Sequence, residues 1–300
     1  MKMEDWGAIG GGYMEIKEIL SELEYNRGYF PYEAVQAAIT QKEKIIPELL
    51  KILENVEKNI HQIKEQPNYM AHIYAMFLLA QFREKRAYPL IVDIFSHPGD
   101  TSDKIGGDFM CEDLPRVLAS VCHGDTTLIK QLIENRNADE YVRDAGLKAL
   151  LVLVTNGEAT REEVIDYYRS LFRGKLEKKH SMVWNSLASC SSHLCAKELY
   201  EDIKKAYEDN LVDPFFIGLE DVDTYQSMGW EENLKSLKED RHYQLIDDTI
   251  GCMEWWACFR HRKKKKAKPE PLKSLSTSAS AKTKTKVQSK KRKKKVRKKR

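Results

Sequence analysis

The stretch Glu43-Lys44-Ile45-Ile46-Pro47-Glu48-Leu49-Leu50-Lys51-Ile52-Leu53 returns in pattern as Lys85-Arg86-Ala87-Tyr88-Pro89-Leu90-Ile91-Val92-Asp93-Ile94-Phe95. The offset is 42 residues, placing Pro47 on Pro89, Leu49 on Ile91, and Ile52-Leu53 on Ile94-Phe95. The segment before each copy repeats as well, Val35 with Phe77 and Ala38 with Ala80. At an offset of 39, Leu79-Ala80 match Leu118-Ala119, and Leu90 and Ile94 match Ile129 and Ile133. A helix pair recurring at about 40 residues is the period of HEAT-like repeats. One such pair cannot bury its own apolar face, so neighbouring pairs stack and bury it in turn. The small residues Ala38, Ala80 and Ala119 would let helices approach closely. Pro47 and Pro89 are expected in first helical turns, where a missing N–H costs nothing.

Outward from this core the helical period persists. Ile45, Ile46, Leu49, Leu50, Leu53, Val56 and Ile60 form one stripe at spacings of three and four. Ile73, Phe77, Leu78 and Phe82 form a second; Val142, Ala145, Leu147, Leu151 and Val154 form a third. Further pairs are read at 141–154 with 161–172 and at 180–191 with 196–209. Thr160, with Glu163 three residues on, has the form of a capping box. Asn156-Gly157 follows a helical stripe and reads as a helix end, not a hairpin. Asp213-Pro214-Phe215-Phe216 is a break, and residues 219–259 read as a helical cap closing the stack. The expected fold is therefore all-α: a HEAT-like α-solenoid of antiparallel helix pairs over 15–259. A flexible start at 1–14 precedes it and a disordered basic tail at 260–300 follows it.

Charge divides the chain at the same boundary. The net charge is +4, yet residues 260–300 hold 21 Lys/Arg and one acid, Glu270, so the first 259 residues carry −16. Excess positive charge of this density binds phosphate backbones by releasing counterions. Two clusters carry it. Arg260, Arg262, Lys263, Lys264, Lys265 and Lys266 adjoin the fold. Lys290, Lys291, Arg292, Lys293, Lys294, Lys295, Arg297, Lys298, Lys299 and Arg300 end the chain. Both suit nucleic acid, another polyanion, or an import receptor that reads nuclear-localisation signals. No aromatic residue is interleaved with them, so base stacking is not expected.

Other constellations point to chemistry less directly. Acids cluster at Asp100, Asp103, Asp108, Glu112 and Asp113, a type of donor set that hard metals use, without the spacing of a calcium loop. Acids placed before helices are also ordinary N-caps. Cys190, His193 and Cys195 suggest zinc, but a fourth ligand is missing and Cys195 leaves the face shared by the other two. Gly10-Gly11-Gly12 is not followed by the Gly-Lys-Ser/Thr of a phosphate loop, and no nucleophile-elbow or zinc-protease motif occurs. Trp255 and Trp256 sit about 100° apart on a helix, one suited to burial and one to an interaction surface, to which Asp108, Glu112 and Asp113 also belong as candidates. No apolar stretch reaches the length of a membrane span, and no signal-peptide pattern opens the chain. Six cysteines lie at positions 111, 122, 190, 195, 252 and 258 within helical patterns, as expected of reduced thiols in a cytoplasmic setting.

Several segments in order resemble a bacterial domain-of-unknown-function family, number eleven-eighty-six. They are Leu79-Ala80-Gln81-Phe82-Arg83-Glu84-Lys85-Arg86-Ala87-Tyr88-Pro89-Leu90, Glu112-Asp113-Leu114-Pro115-Arg116-Val117-Leu118-Ala119-Ser120-Val121, Leu211-Val212-Asp213-Pro214-Phe215-Phe216-Ile217, and Asp247-Asp248 through Glu254-Trp255-Trp256. The resemblance implies a HEAT-type helical protein over 15–259 and implies no activity. Many members end in a Cys-rich zinc-binding SEC-C motif; here no cysteine follows Cys258 and a lysine-rich tail takes that place.

Together these readings give an expected role as a non-enzymatic protein-interaction scaffold without cofactor. An unidentified protein would bind the solenoid face, and nucleic acid, a polyanion or an import receptor would bind the tail. A metal-dependent enzyme using residues 100–113 is one alternative. A secreted bacterial effector directed to a host nucleus is another. The expected location is cytoplasmic, nucleoid association being the alternative for a chain that stays in the cell.

Overall fold

The computed structural model describes residues 14–260. These fold as one unit of helices; among the described residues the sole β-type pairing is an isolated bridge between Tyr25 and Tyr69. In chain order the helices are α1 (Ile16–Glu24), α2 (Tyr32–Thr40), α3 (Lys42–Lys58), α4 (Ile60–Ile63), α5 (Ala71–Gln81), α6 (Ala87–Phe95), α7 (Thr101–Gly106), α8 (Phe109–Glu112) and α9 (Leu114–Val121). They continue with α10 (Thr127–Glu134), α11 (Glu140–Thr155), α12 (Arg161–Ser170), α13 (Met182–His193), α14 (Tyr200–Glu208), α15 (Leu219–Met228), α16 (Trp230–Glu239) and α17 (Thr249–Met253).

Two rows emerge from the packing. Helices α5, α9, α11, α13 and α15 lie side by side in that order, while α3, α6 and α10 form a second row behind them. This is the stacked-pair arrangement that the repeat requires. Most matched positions perform the same task in each pair: Val35 with Phe77, Ala38 with Ala80, Leu49 with Ile91, and Ile94 with Ile133 are all fully buried, while Ile52 and Leu90 are partly buried against the core. Every residue of the three stripes above is buried too.

In the first row, α5 and α9 are buried nearly all round, whereas α15 at its far end buries only Val222. In α5 the ten residues from Ala71 to Ala80 are all buried, so no polar face remains to mark it as amphipathic. The rows approach closely at Gly146 of α11, where an added methyl group would lie 2.7 Å from Ile133 Cγ1 of α10. Gly146→Ala is therefore expected to destabilise the body by about 1–3 kcal/mol through overpacking, although alanine is the better helix former. Thermal unfolding that is unchanged or improved would contradict that close approach.

Helix ends follow local chemistry. Thr160 Oγ1 accepts from the Glu163 N–H at 3.3 Å and Glu163 Oε2 accepts back from the Thr160 N–H at 3.3 Å, the expected capping box of α12. Gly157, just past α11, takes φ +74°, the left-handed turn that lets the chain reverse. Arg83, His123 and Cys195 take φ of +57°, +52° and +50° at the ends of α5, α9 and α13, where glycine would be the easier residue.

Two expectations are corrected, and one insertion is added. Pro47 lies inside α3 rather than in its first turn, because α3 begins earlier, at Lys42; Pro89 does sit in the first turn of α6. Between the second and third pairs two short helices, α7 and α8, are inserted. The segment 241–259 does not cap the end of the row: only α15 and α16 stay there, and the chain then runs back along the first row as far as α5 and α2. Residues 1–13 and 261–300, with the Gly10–Gly12 run and most of the polybasic tail, lie outside the described residues.

Candidate binding face on the first helix row

The returning segment defines a face, because it shows what the first row can hold. Asn156, at the C-terminal end of α11, donates from Nδ2 to the Tyr243 carbonyl at 2.8 Å. Arg116 of α9 donates from Nε to the Gln244 carbonyl at 2.9 Å. Ser120, one turn further on α9, accepts from the Ile246 N–H at 2.8 Å, and Arg83 at the end of α5 donates to the Ile246 carbonyl at 3.0 Å. Gln81 Oε1 accepts from the Thr249 N–H at 2.9 Å. Five side chains on three consecutive first-row helices thus bond the main chain of residues 243–249. From Leu245 to Asp248 that segment has no helical structure of its own. Bonds to main-chain groups satisfy buried donors and acceptors without selecting side chains.

Side chains supply the apolar anchorage. Ile246 is fully buried, as are Thr249 and Met253 of α17. Further on, Trp256 meets Phe77 of α5 edge to face, with ring centroids 5.7 Å apart, and stacks on Phe259 at 6.2 Å. Phe259 also lies 5.5 Å from Phe30 and 6.4 Å from Tyr74. Aromatic pairs of this geometry add about 0.5–1.5 kcal/mol each beyond the area they bury.

A buried ion pair sits at the centre. Arg116 Nη1 lies 2.8 Å from Asp113 Oδ1, and the two side chains are 7% and 11% exposed. Burial pushes the Asp113 carboxyl above the usual carboxylate range, although Arg116 pulls it down. Arg116 Nη1 also approaches Cys252 Sγ of the returning segment at 3.5 Å. At the other end, His193 of α13 bonds the Ser189 carbonyl through Nδ1 at 2.8 Å. A carbonyl only accepts, so in the neutral ring Nδ1 carries the proton and Nε2 is free to accept from Tyr225 Oη at 3.2 Å. Tyr243 Oη stands 3.5 Å from the same nitrogen. Burial lowers the His193 pKa.

The residues singled out from the sequence divide around this face. Asp113 is buried with Arg116, whereas Asp108 and Glu112 are exposed, Glu112 lying 3.5 Å from His242 Nε2. Asp100 pairs with Lys64 and Lys104, both at 3.2 Å. Of Asp100, Asp108 and Asp113, none caps its helix with its carboxylate. Trp255 is 42% exposed, with the Arg241 guanidinium 4.5 Å above its ring, while Trp256 is packed inward. Cys190 is buried and the Cys195 thiol, buried too, donates to the Tyr225 carbonyl at 3.1 Å. Among the described residues no three His, Cys, Asp or Glu side chains converge as a metal site. Arg260 is exposed at the end of the described chain; Arg262 and the remaining tail residues lie outside it. Sequence reading missed Gln81, Arg83, Arg116, Ser120 and Asn156. The one available signal was Arg116, a lone charge inside an apolar stripe, three residues after Asp113.

No helix among the described residues is long and apolar enough to cross a membrane. The family described as a protein of unknown function (DUF1186) matches residues 14–260. A Chlamydia trachomatis relative, named only as an uncharacterized protein, is 44% identical over 245 residues, 81% of this chain and 96% of its own length. A second relative so named, from Chlamydia muridarum, is 42% identical over 245 residues, 81% of this chain and 97% of its own. The match uses nearly the whole of each relative and leaves neither a further stretch as long as residues 261–300. No solved structure matches.

Proposed function

We propose, for a chain that belongs to the DUF1186 family of proteins of unknown function, a role in binding without catalysis: the helical body is a protein-interaction scaffold and the basic tail an arm for nucleic acid. The observation that carries this reading is the segregation of charge. A net +20 lies on residues 260–300, against −16 on the body. A chain segment of that charge density neutralises phosphates and releases their counterions, with little regard for base sequence. The family match ends at residue 260, where the arm begins, so the arm stands apart from the family's shared body.

The test is a titration of the full chain against duplex DNA and RNA across a salt series. A variant with the ten Lys/Arg of 290–300 changed to Gln is run in parallel. For the full chain, affinity is expected to fall on the order of a thousandfold between about 50 and 200 mM salt, and the variant is expected to lose most of that slope. Equal, shallow slopes would contradict the nucleic-acid arm and leave an import receptor as the tail's partner. A metal-dependent activity abolished by Asp108→Asn would contradict the non-enzymatic reading of the body.

A further inference from the structure

We infer that the first-row face is a peptide-binding face, held shut by residues 243–259 acting as an intramolecular ligand. Its partner is a peptide that is extended where it replaces residues 244–248, with an aliphatic side chain in the place of Ile246, and that passes through a short helical turn like α17 to an aromatic pair in the places of Trp256 and Phe259. The inference rests on the reading of the body as a binding scaffold and is independent of the tail.

Three features separate this segment from an ordinary structural element. First, its attachments are of the kind made to a ligand. Between Tyr243 and Thr249 the main chain is held by side chains of α5, α9 and α11, all more than eighty residues away in sequence. Ile246 is bonded on both its N–H and its carbonyl. Each partner is polar and returns to water on release, so opening leaves few of these groups unsatisfied. Second, the segment joins the fold through an exposed hinge. Asp240, Arg241 and His242 are all exposed, and the single 3₁₀ turn Arg241–Tyr243 buries no residue. Third, beyond the hinge it contains no element longer than the five-residue α17, too short to be stable alone. Its order is lent by the face it lies on.

The chemistry of the sockets defines the partner. One takes a branched aliphatic side chain at the point of closest main-chain contact. The other, lined by Phe30, Tyr74 and Phe77, takes two stacked aromatic rings. Just before the first socket, the Asp113–Arg116 pair offers the guanidinium Nε to the carbonyl of residue 244. This favours an uncharged main chain over an anionic side chain, because Asp113 already neutralises Arg116. The extended first part is held through its main chain, and the spaced anchors provide the selectivity.

The probe is a synthetic peptide of residues 243–260, fluorescently labelled, titrated against the full chain and two full-length variants altered only in the segment. Trp256→Ala removes one of the two rings from the aromatic socket and leaves Phe259 without the indole stacked on it. Asp248→Ala removes the cap that accepts from the Gly251 N–H at 3.0 Å, at an exposed position where the body is untouched. Peptide is expected to bind both variants at least about tenfold more tightly than the unmodified chain, whose own segment competes for the face. Equal binding to all three, or none to a variant that still unfolds cooperatively, would overturn the inference. If Trp256→Ala fails to fold, Asp248→Ala decides. The DNA titration reads the tail alone, so loss of one result leaves the other standing.

Discussion

Arg116→Ala is expected to lower the stability of the body by about 3–5 kcal/mol, the largest effect of any single substitution argued from this structure. The cause is what remains behind. Asp113 is 11% exposed on its side chain and has the Arg116 guanidinium as its counter-charge at 2.8 Å. With Arg116 gone, the buried carboxylate loses its hydrogen-bonded counter-charge and keeps only the weaker influence of Arg241. The same change removes the donor to the Gln244 carbonyl and the contact to Cys252, so the returning segment loosens as well. A double-mutant comparison separates these parts. Asp113→Asn in the Arg116→Ala background is expected to restore stability, because it removes the stranded charge, while in the unmodified protein it is expected to destabilise. Urea unfolding of the four proteins provides the measurement. A loss under about 1 kcal/mol for Arg116→Ala would show the pair to be solvated, contrary to its burial.

The second large effect is on pH dependence. His72, in the first turn of α5, is 3% exposed, and its Nε2 lies 2.8 Å from the Ile105 carbonyl. Since the carbonyl only accepts, Nε2 carries the proton of the neutral ring. Nδ1 is buried with no partner, so a second proton there would be a buried donor without an acceptor. Burial accordingly lowers the His72 pKa from 6.5 to about 4. In the window between those values the unfolded chain binds the proton and the folded chain does not. Stability therefore falls as pH drops from 6.5 toward 4, by about 3 kcal/mol over the window. His193, lowered in the same sense, adds to the slope. His72→Gln is expected to flatten most of it. An acid-side slope that is the same in both proteins would contradict the burial of this ring.

Most of the architecture was legible because it is periodic. The offsets of 42 and 39 in the sequence bring together positions that are mostly buried in each pair, and Ala38 and Ala80, equivalent by the repeat, are both wholly buried. Proline was less informative. Its preference for first turns is real, yet Pro47 is tolerated inside α3, where the tertiary stack outweighs the lost hydrogen bond. The candidate face was scarcely legible. Residues 244–248 have neither helical nor alternating period, because their order comes from side chains far off in sequence. Gln81, Arg83 and Asn156 stand at helix ends, where polar residues are unremarkable. One of Trp255 and Trp256 was readable as buried, but not that Trp256 would pack against α5 at the other end of the row, since periodicity reports that a face is buried and not against what.

The account depends on residues 243–259 lying along the first helix row, and amide hydrogen exchange tests this residue by residue. Ile246 and Thr249 donate their N–H groups to Ser120 and Gln81, whereas Leu245 and Asp247 donate to nothing among the described residues. The expected result is strong protection at Ile246 and Thr249 with fast exchange at Leu245 and Asp247, the protected pair still opening sooner than the core amides of α11. Uniformly fast exchange across 244–249 would contradict the account, because the segment would then not be held on the face at all.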